Sequence, residues 1–294
     1  MIRLMRYLIF AILWFVGISL VLVVLYRFVP IPVTATMLMD EHGITKDWTP
    51  LSRIDRDMVD AAIGAEDGKF CTHNGFDTEA IKKALEHDQR SGVVLRGGST
   101  ISQQTAKNVF LWQGGGFVRK GFEAWFTFLI EHLWGKRRIM EVYLNVAETG
   151  IGTYGVNAGS ERYFGHDASA MTPSEAARIA AVLPLPKERE AITPKGFTRR
   201  YGNIITARIP VVGRDGLDAC IYRGATAPVN KAPPVVTRKT RPIPGEEFET
   251  AKPPPPPEPA AQDEPTTAAP DQPQPQAPSN GAATEPPDEG SNAT

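Results

Sequence analysis

Between Ala65 and Asp77 the chain places Glu66 and Asp67 side by side, followed by Phe70, His73, Gly75 and Phe76. Two adjacent carboxylates beside a histidine are the material of general acid–base chemistry. A neighbouring negative charge and partial burial both raise a carboxyl pKa toward neutrality, where it can take a proton. Met58, Ala61, Ala62 and Ala65 have helical spacing, so the pair falls at or near a helix C-terminus, where the dipole disfavours acids. Chemistry is one reason to keep them there, and a solvated helix end before a loop is the other.

A second stretch carries Gly97, Gly98, Ser99 and Thr100, then a helical run with Gln103, Gln104, Lys107 and Asn108. Such a helix entry exposes backbone N–H groups and can hold an anion. Any capped helix reads the same way, but paired amides and a Lys-Asn pair on a mostly apolar helix are hard to explain as packing. Further on, Arg119 and Lys120 open an apolar helix with Glu123 one turn later. Basic residues at a helix N-terminus oppose its dipole. An anionic ligand would relieve that conflict, and an Arg119–Glu123 i,i+4 pair is the purely structural explanation.

The elements that must position these side chains are helical. Runs begin near Ser52, at Asp77 or Thr78 (extending to His87), at Ile101, at Arg119 and at Lys136, the last carrying Glu141, Tyr143 and Asn145. Gly165 reads as a helix stop, Thr172-Pro173-Ser174-Glu175 as a helix start, and Phe197–Ile209 as a last helix. Val33–Trp48 reads as a connector with a short strand. With no repeat and little alternation, the fold class is mainly α.

Three regions differ in character. No charged residue occurs from Tyr7 to Tyr26, enough apolar chain to cross a hydrocarbon core of about 30 Å. Arg27, Phe28 and Pro30 follow in place of a small-residue cleavage site, which favours an uncleaved anchor, and Arg3 and Arg6 before the span point to a cytoplasmic N-terminus. From Pro233 onward the chain is proline-rich, and from Pro253 it has no aromatic residue, so a disordered tail is expected. The expected division is 1–30 stub and transmembrane anchor, 31–210 folded domain, and 211–294 tail. A net charge of −1 argues against a nucleic-acid partner. Cys71 and Cys220 exclude a disulfide framework and leave a single bridge open.

Taken in order, Glu66-Asp67-x-x-Phe70-x-x-His73-x-Gly75-Phe76-Asp77, Gly98-Ser99-Thr100-Ile101-Ser102-Gln103-Gln104-x-x-Lys107-Asn108, Arg119-Lys120-x-x-Glu123 and Ile139-Met140-Glu141-x-Tyr143-Leu144-Asn145 resemble the peptidoglycan glycosyltransferase family (glycosyltransferase family 51). Neither Ser-x-x-Lys nor Lys-Thr-Gly occurs, so the likeness is to the monofunctional biosynthetic transglycosylases. The resemblance implies a lysozyme-like domain that polymerises lipid II, with the membrane and the nascent glycan chain as partners. Cell-wall synthesis or division proteins are further partners in keeping with it. It implies Glu66 as general base, Glu123 as a second carboxylate, and Lys107, Arg119 and Lys120 on the pyrophosphate. Asp67, Ser99, Thr100, Gln103, Gln104 and Asn108 would contact substrate. Phe70, His73 and Gly75 would hold the Glu66 loop, while Glu141, Tyr143 and Asn145 brace the cleft wall. No organic cofactor is implied, and a divalent cation, magnesium or manganese, is left open. The expected location is a bacterial inner membrane with the domain on the periplasmic side.

Overall fold

The computed structural model describes residues 1–82 and 98–222, all within the unit Met1–Glu247. Of the tail expected over 211–294, the part from 223 onward, and most of the helix expected after Asp77, lie outside the described residues. What is described of that helix starts with the Asp77 carboxylate accepting from the Ala80 N–H at 2.9 Å.

The architecture is mainly α. Helix α1 (Ile2–Phe28) is long and apolar enough to cross a membrane. A short α2 (Ala35–Leu38) leads to β1 (Thr45–Lys46) and then α3 (Arg56–Glu66), capped by Asp55. Next come α4 (Ile101–Phe110), α5 (Gly116–Leu133) and α6 (Lys136–Val146). Strands β2 (Glu148–Gly150) and β3 (Thr153–Tyr154) precede α7 (Val156–Phe164), α8 (Pro173–Val182) and α9 (Gly196–Arg214). The strands form a small sheet in the order β1-β3-β2, with β1 parallel and β2 antiparallel to β3. Two- and three-residue strands carry too little alternation to be read from sequence, so only β1 was expected.

Two helical groups set up the site. In one, α3, α8 and α9 pack on one another; in the other, α4 lies against α5 and α6. Gly64 permits the close approach of α9 to α3, since a Cβ there would meet Arg208 Cβ at 3.3 Å. The last carbonyls of α3, which have no partner inside the helix, are taken up by α9. Arg208 donates to the Gly64 carbonyl at 2.9 Å, and the Tyr201 hydroxyl to the Ala65 carbonyl at 2.8 Å. The turn that ends in Glu66 is thereby fixed.

The apolar run Trp125–Leu133 could have faced the core or lipid. It divides between the core, through Phe126, Leu129 and Ile130, and the lower half of α1. Trp125 Nε1 donates to Ser19 Oγ at 3.1 Å, Trp134 Nε1 to the Val23 carbonyl at 2.7 Å, and Arg138 Nη2 to the Tyr26 carbonyl at 2.8 Å. Helix α1 is docked on the domain by these bonds.

The folded chain continues past the expected boundary at 210 to Tyr222. Pro210 sits inside α9 without ending it, and the turns that follow are fastened in three ways. Arg56 Nη2 pairs with Asp218 at 2.6 Å, Ile221 is buried, and Cys220 forms a disulfide with Cys71. The bridge joins the turns after α9 to the loop after Glu66 across a sequence separation of 149. A cross-link that closes so long a loop removes much entropy from the unfolded chain. Cys220→Ser is therefore expected to lower stability by about 2–4 kcal/mol, read as an earlier midpoint in chemical denaturation, with a matching loss when the wild type is reduced.

Candidate active site

Glu66 is the last residue of α3 and Asp67 its C-cap. Asp67 is buried and fully engaged. Its carboxylate accepts from His73 Nε2 at 2.9 Å and from the Ile101 N–H at 2.9 Å. His73 Nδ1 in turn accepts from the Gly75 N–H at 3.1 Å, which places the ring proton on Nε2. Asp67 and His73 thus tie the Glu66 loop to the start of α4, so Asp67 positions where substrate contact had been expected. Gly75 has φ +89°, and a Cβ there would meet Thr127 at 2.8 Å and Glu131 at 2.9 Å. Only glycine fits both the left-handed backbone and this approach to α5. Phe70 is buried beneath, with the Lys136 ammonium 4.6 Å from its ring centroid.

Helix α4 divides its polar residues between two tasks. Thr100 Oγ1 accepts from the Gln103 N–H at 3.1 Å while Gln103 Oε1 accepts from the Thr100 N–H at 3.0 Å, a reciprocal capping box. Thr100 also donates to the Gly75 carbonyl at 2.7 Å. Both residues are buried, so they hold the helix entry rather than line a donor cleft. Gln104, one residue on, faces the other way, and its amide donates to Glu66 Oε2 at 2.9 Å. Ser99 is exposed, 3.4 Å from Lys120 Nζ.

At the start of α5, Glu123 is 2% exposed. Arg119 Nη1 meets its Oε2 at 2.8 Å, and Lys120 holds Oε1. The i,i+4 pair is therefore real, and it leaves the outward sides of two cations clustered around one buried carboxylate. Both Glu123 oxygens are thus occupied by the two α5 cations. Among the described residues no cluster of three or more His, Cys, Asp or Glu could hold a metal.

Lys107 stands between these halves. Its Nζ has no hydrogen bond among the described residues. Burial lowers its pKa, Glu123 and Glu66 act to raise it, and Arg119 and Lys120 push it down. The carboxyl of Glu66 is pushed up by burial, with Asp67 adding to the rise and Gln104, Arg189 and Lys107 opposing it. The Glu66 carboxyl therefore lies within electrostatic reach of a lysine that also feels the Arg119–Lys120–Glu123 cluster.

Gln104, Lys107 and Asn108 line a cleft of about 530 Å³ together with Tyr143 and the Asp40, Glu148, Tyr154 and Lys187 side chains. At that far end Lys187 Nζ is 3.1 Å from Asp40, which also accepts from the Tyr154 hydroxyl at 2.6 Å. Burial pushes Glu148 up to about 6. Sequence reasoning missed this end because its members come from the turn after α2, from β2 and β3, and from the loop after α8. It missed Arg189 too, which acts on Glu66 and stacks on Phe197, 5.1 Å from the ring centroid. Of the three wall residues, Asn145 staples α6 to both backbone groups of Thr49 at 2.7 and 2.8 Å, and Glu141 pairs with Arg138 at 2.5 Å. The ring of Tyr143 is fully buried, and its hydroxyl has no hydrogen-bond partner among the described residues.

Residues 34–209 match the family model described as Transglycosylase. A protein of Caulobacter vibrioides named biosynthetic peptidoglycan transglycosylase is 48% identical over 223 residues, covering 74% of this chain and 97% of that protein. Proteins of the same name from Rhodospirillum centenum (45% identical, 70% and 91% covered) and Pseudomonas aeruginosa (43% identical, 72% and 94% covered) are also similar.

Proposed function

We propose, from the premise that this chain belongs to the transglycosylase family and is a peptidoglycan glycosyltransferase, that it polymerises lipid II by a single inverting displacement. The 4-hydroxyl of the acceptor sugar gives its proton to Glu66 as its oxygen bonds to the anomeric carbon of the growing chain. The bond from that carbon to the pyrophosphate breaks, and undecaprenyl pyrophosphate leaves with the electron pair. An α-linked donor thereby becomes a β-1,4 linkage.

The observation that carries this reading is the placement of Lys107 between the raised carboxyl of Glu66 and the Arg119–Lys120 pair. Glu66 and the α5 cations both lie within electrostatic reach of this one lysine, which suits deprotonation on one side and charge departure on the other. Lys107, Arg119 and Lys120 would meet the pyrophosphate by charge-assisted hydrogen bonds and stabilise its growing charge. Glu123 holds the two α5 cations in place.

The apolar α1 helix suits a substrate that stays in the bilayer. The Cys71–Cys220 bridge is of a kind that persists in oxidising compartments, which supports a periplasmic domain. With neither Ser-x-x-Lys nor Lys-Thr-Gly in the chain, no transpeptidase activity is proposed.

The test is a choice of donors. Purified full-length chain in detergent micelles is expected to make glycan strands from lipid II. A disaccharide-peptide without the pyrophosphate should not be used as donor. Equal use of both would remove the role given to the cations, and release of muropeptides from isolated cell walls would favour a hydrolase, for which a pyrophosphate clamp has no use.

A further inference from the structure

Tyr143 lies on the inner face of α6, is fully buried, and forms part of the wall of the cleft that runs past Gln104 and Lys107. Its hydroxyl is one of four buried side-chain groups without a hydrogen-bond partner among the described residues. Of the others, Glu148 lies at the far end of the same cleft, and Asp60 and Ser160 lie outside it. A hydroxyl removed from water and left unpaired works against stability, and a phenylalanine at this position would fill the same space without that penalty. Tyr143 is also within electrostatic reach of both Glu66 and Asp67, and burial followed by those two charges holds the phenol protonated far above its ordinary range. Its O–H stays protonated within electrostatic reach of Glu66, and Asp67 is already engaged with His73 and Ile101.

We infer that the Tyr143 hydroxyl hydrogen bonds the acceptor sugar next to Glu66, making Tyr143 a substrate-contacting residue of the acceptor side rather than a brace of the cleft wall. The inference rests on the lipid II reading above. The ligand chemistry it requires is a sugar hydroxyl, which can accept from the phenol while giving its own proton elsewhere. Glu66 has one oxygen, Oε2, engaged by Gln104, and the second carboxylate oxygen remains for the acceptor proton. Base and phenol would then hold one sugar from two directions, fixing the attacking oxygen along its line of approach.

The experiment is Tyr143→Phe in the full-length chain, assayed on lipid II for kcat/KM and followed in parallel for Tm. The expected result is a fall in kcat/KM of about ten- to a hundred-fold with a Tm equal to or above that of the wild type. A structural hydroxyl would give the opposite pattern, because losing its partner would lower Tm. Unchanged kcat/KM overturns the inference, and so does a Tm that falls together with activity. The wild type in the same assay reports on the lipid II reading itself. If that reading fails, the wild type makes no polymer and the inference fails with it. If only the inference fails, the wild type polymerises and the variant matches it.

Discussion

Replacing Glu66 by Gln is expected to lower polymerisation of lipid II by about a hundred- to ten-thousand-fold, the range that a positioned general base supplies. The substitution keeps the size of the side chain and its place beside Gln104, whose amide now donates to Glu66 Oε2, so folding should be spared. The wild type also makes a prediction about pH. Burial raises the Glu66 carboxyl above its ordinary value, and the base works only when ionised. Activity should therefore fall on the acid side through a pKa above the usual glutamate range. Burial likewise lowers Lys107, which serves only when protonated, so activity should fall on the alkaline side below the usual lysine range. The profile of kcat/KM is a bell narrower than ordinary Glu and Lys values would give. In Glu66→Gln the residual activity should lose the acid limb.

Lys107→Met is expected to cost about a hundred- to a thousand-fold in kcat, comparable to removing one donor from a preorganised site that stabilises developing negative charge. Methionine preserves the length and apolar stem of the lysine. A partly buried cation without a hydrogen-bonded partner costs folding free energy, so the variant should be as stable as the wild type or more so. Loss of activity with stability retained is the signature of a group kept for chemistry. Arg119 and Lys120 differ, since each is paired to buried Glu123. Removing either leaves that carboxylate under-compensated, so activity and stability should fall together.

Much of this site was legible because its helices announce themselves. The apolar spacing before Glu66 put the two acids at a helix end, and that end is where α3 stops. Thr172 and Glu175 form the capping box their spacing suggests. Gly165 closes α7 in a left-handed conformation. What the sequence could not settle was the direction a side chain takes once the helix exists. Thr100, Gln103 and Gln104 look equally suited to substrate, yet the first two close on each other as a cap and the third turns to Glu66. Asp67 looked like a tuning charge, and its bonds to His73 and Ile101 make it a tether as well.

Contacts between distant segments were the other blind spot. Arg189 reaches Glu66 from the loop after α8, Cys71 meets Cys220 across most of the fold, and Ser19 receives Trp125 from α5. None leaves a local signature. An apolar span in particular says nothing about which of its residues faces a neighbouring domain. The orphaned hydroxyl of Tyr143 is of the same kind, visible only when every neighbour is in place.

The most direct test of the account is a side-by-side reaction of wild type and Glu66→Gln with purified lipid II, counting new glycosidic bonds and released undecaprenyl pyrophosphate. The account predicts one pyrophosphate for each new β-1,4 linkage in the wild type, and a trace of both in the variant. Linkages of α configuration, pyrophosphate released without bond formation, or a Glu66→Gln chain as fast as the wild type would contradict it.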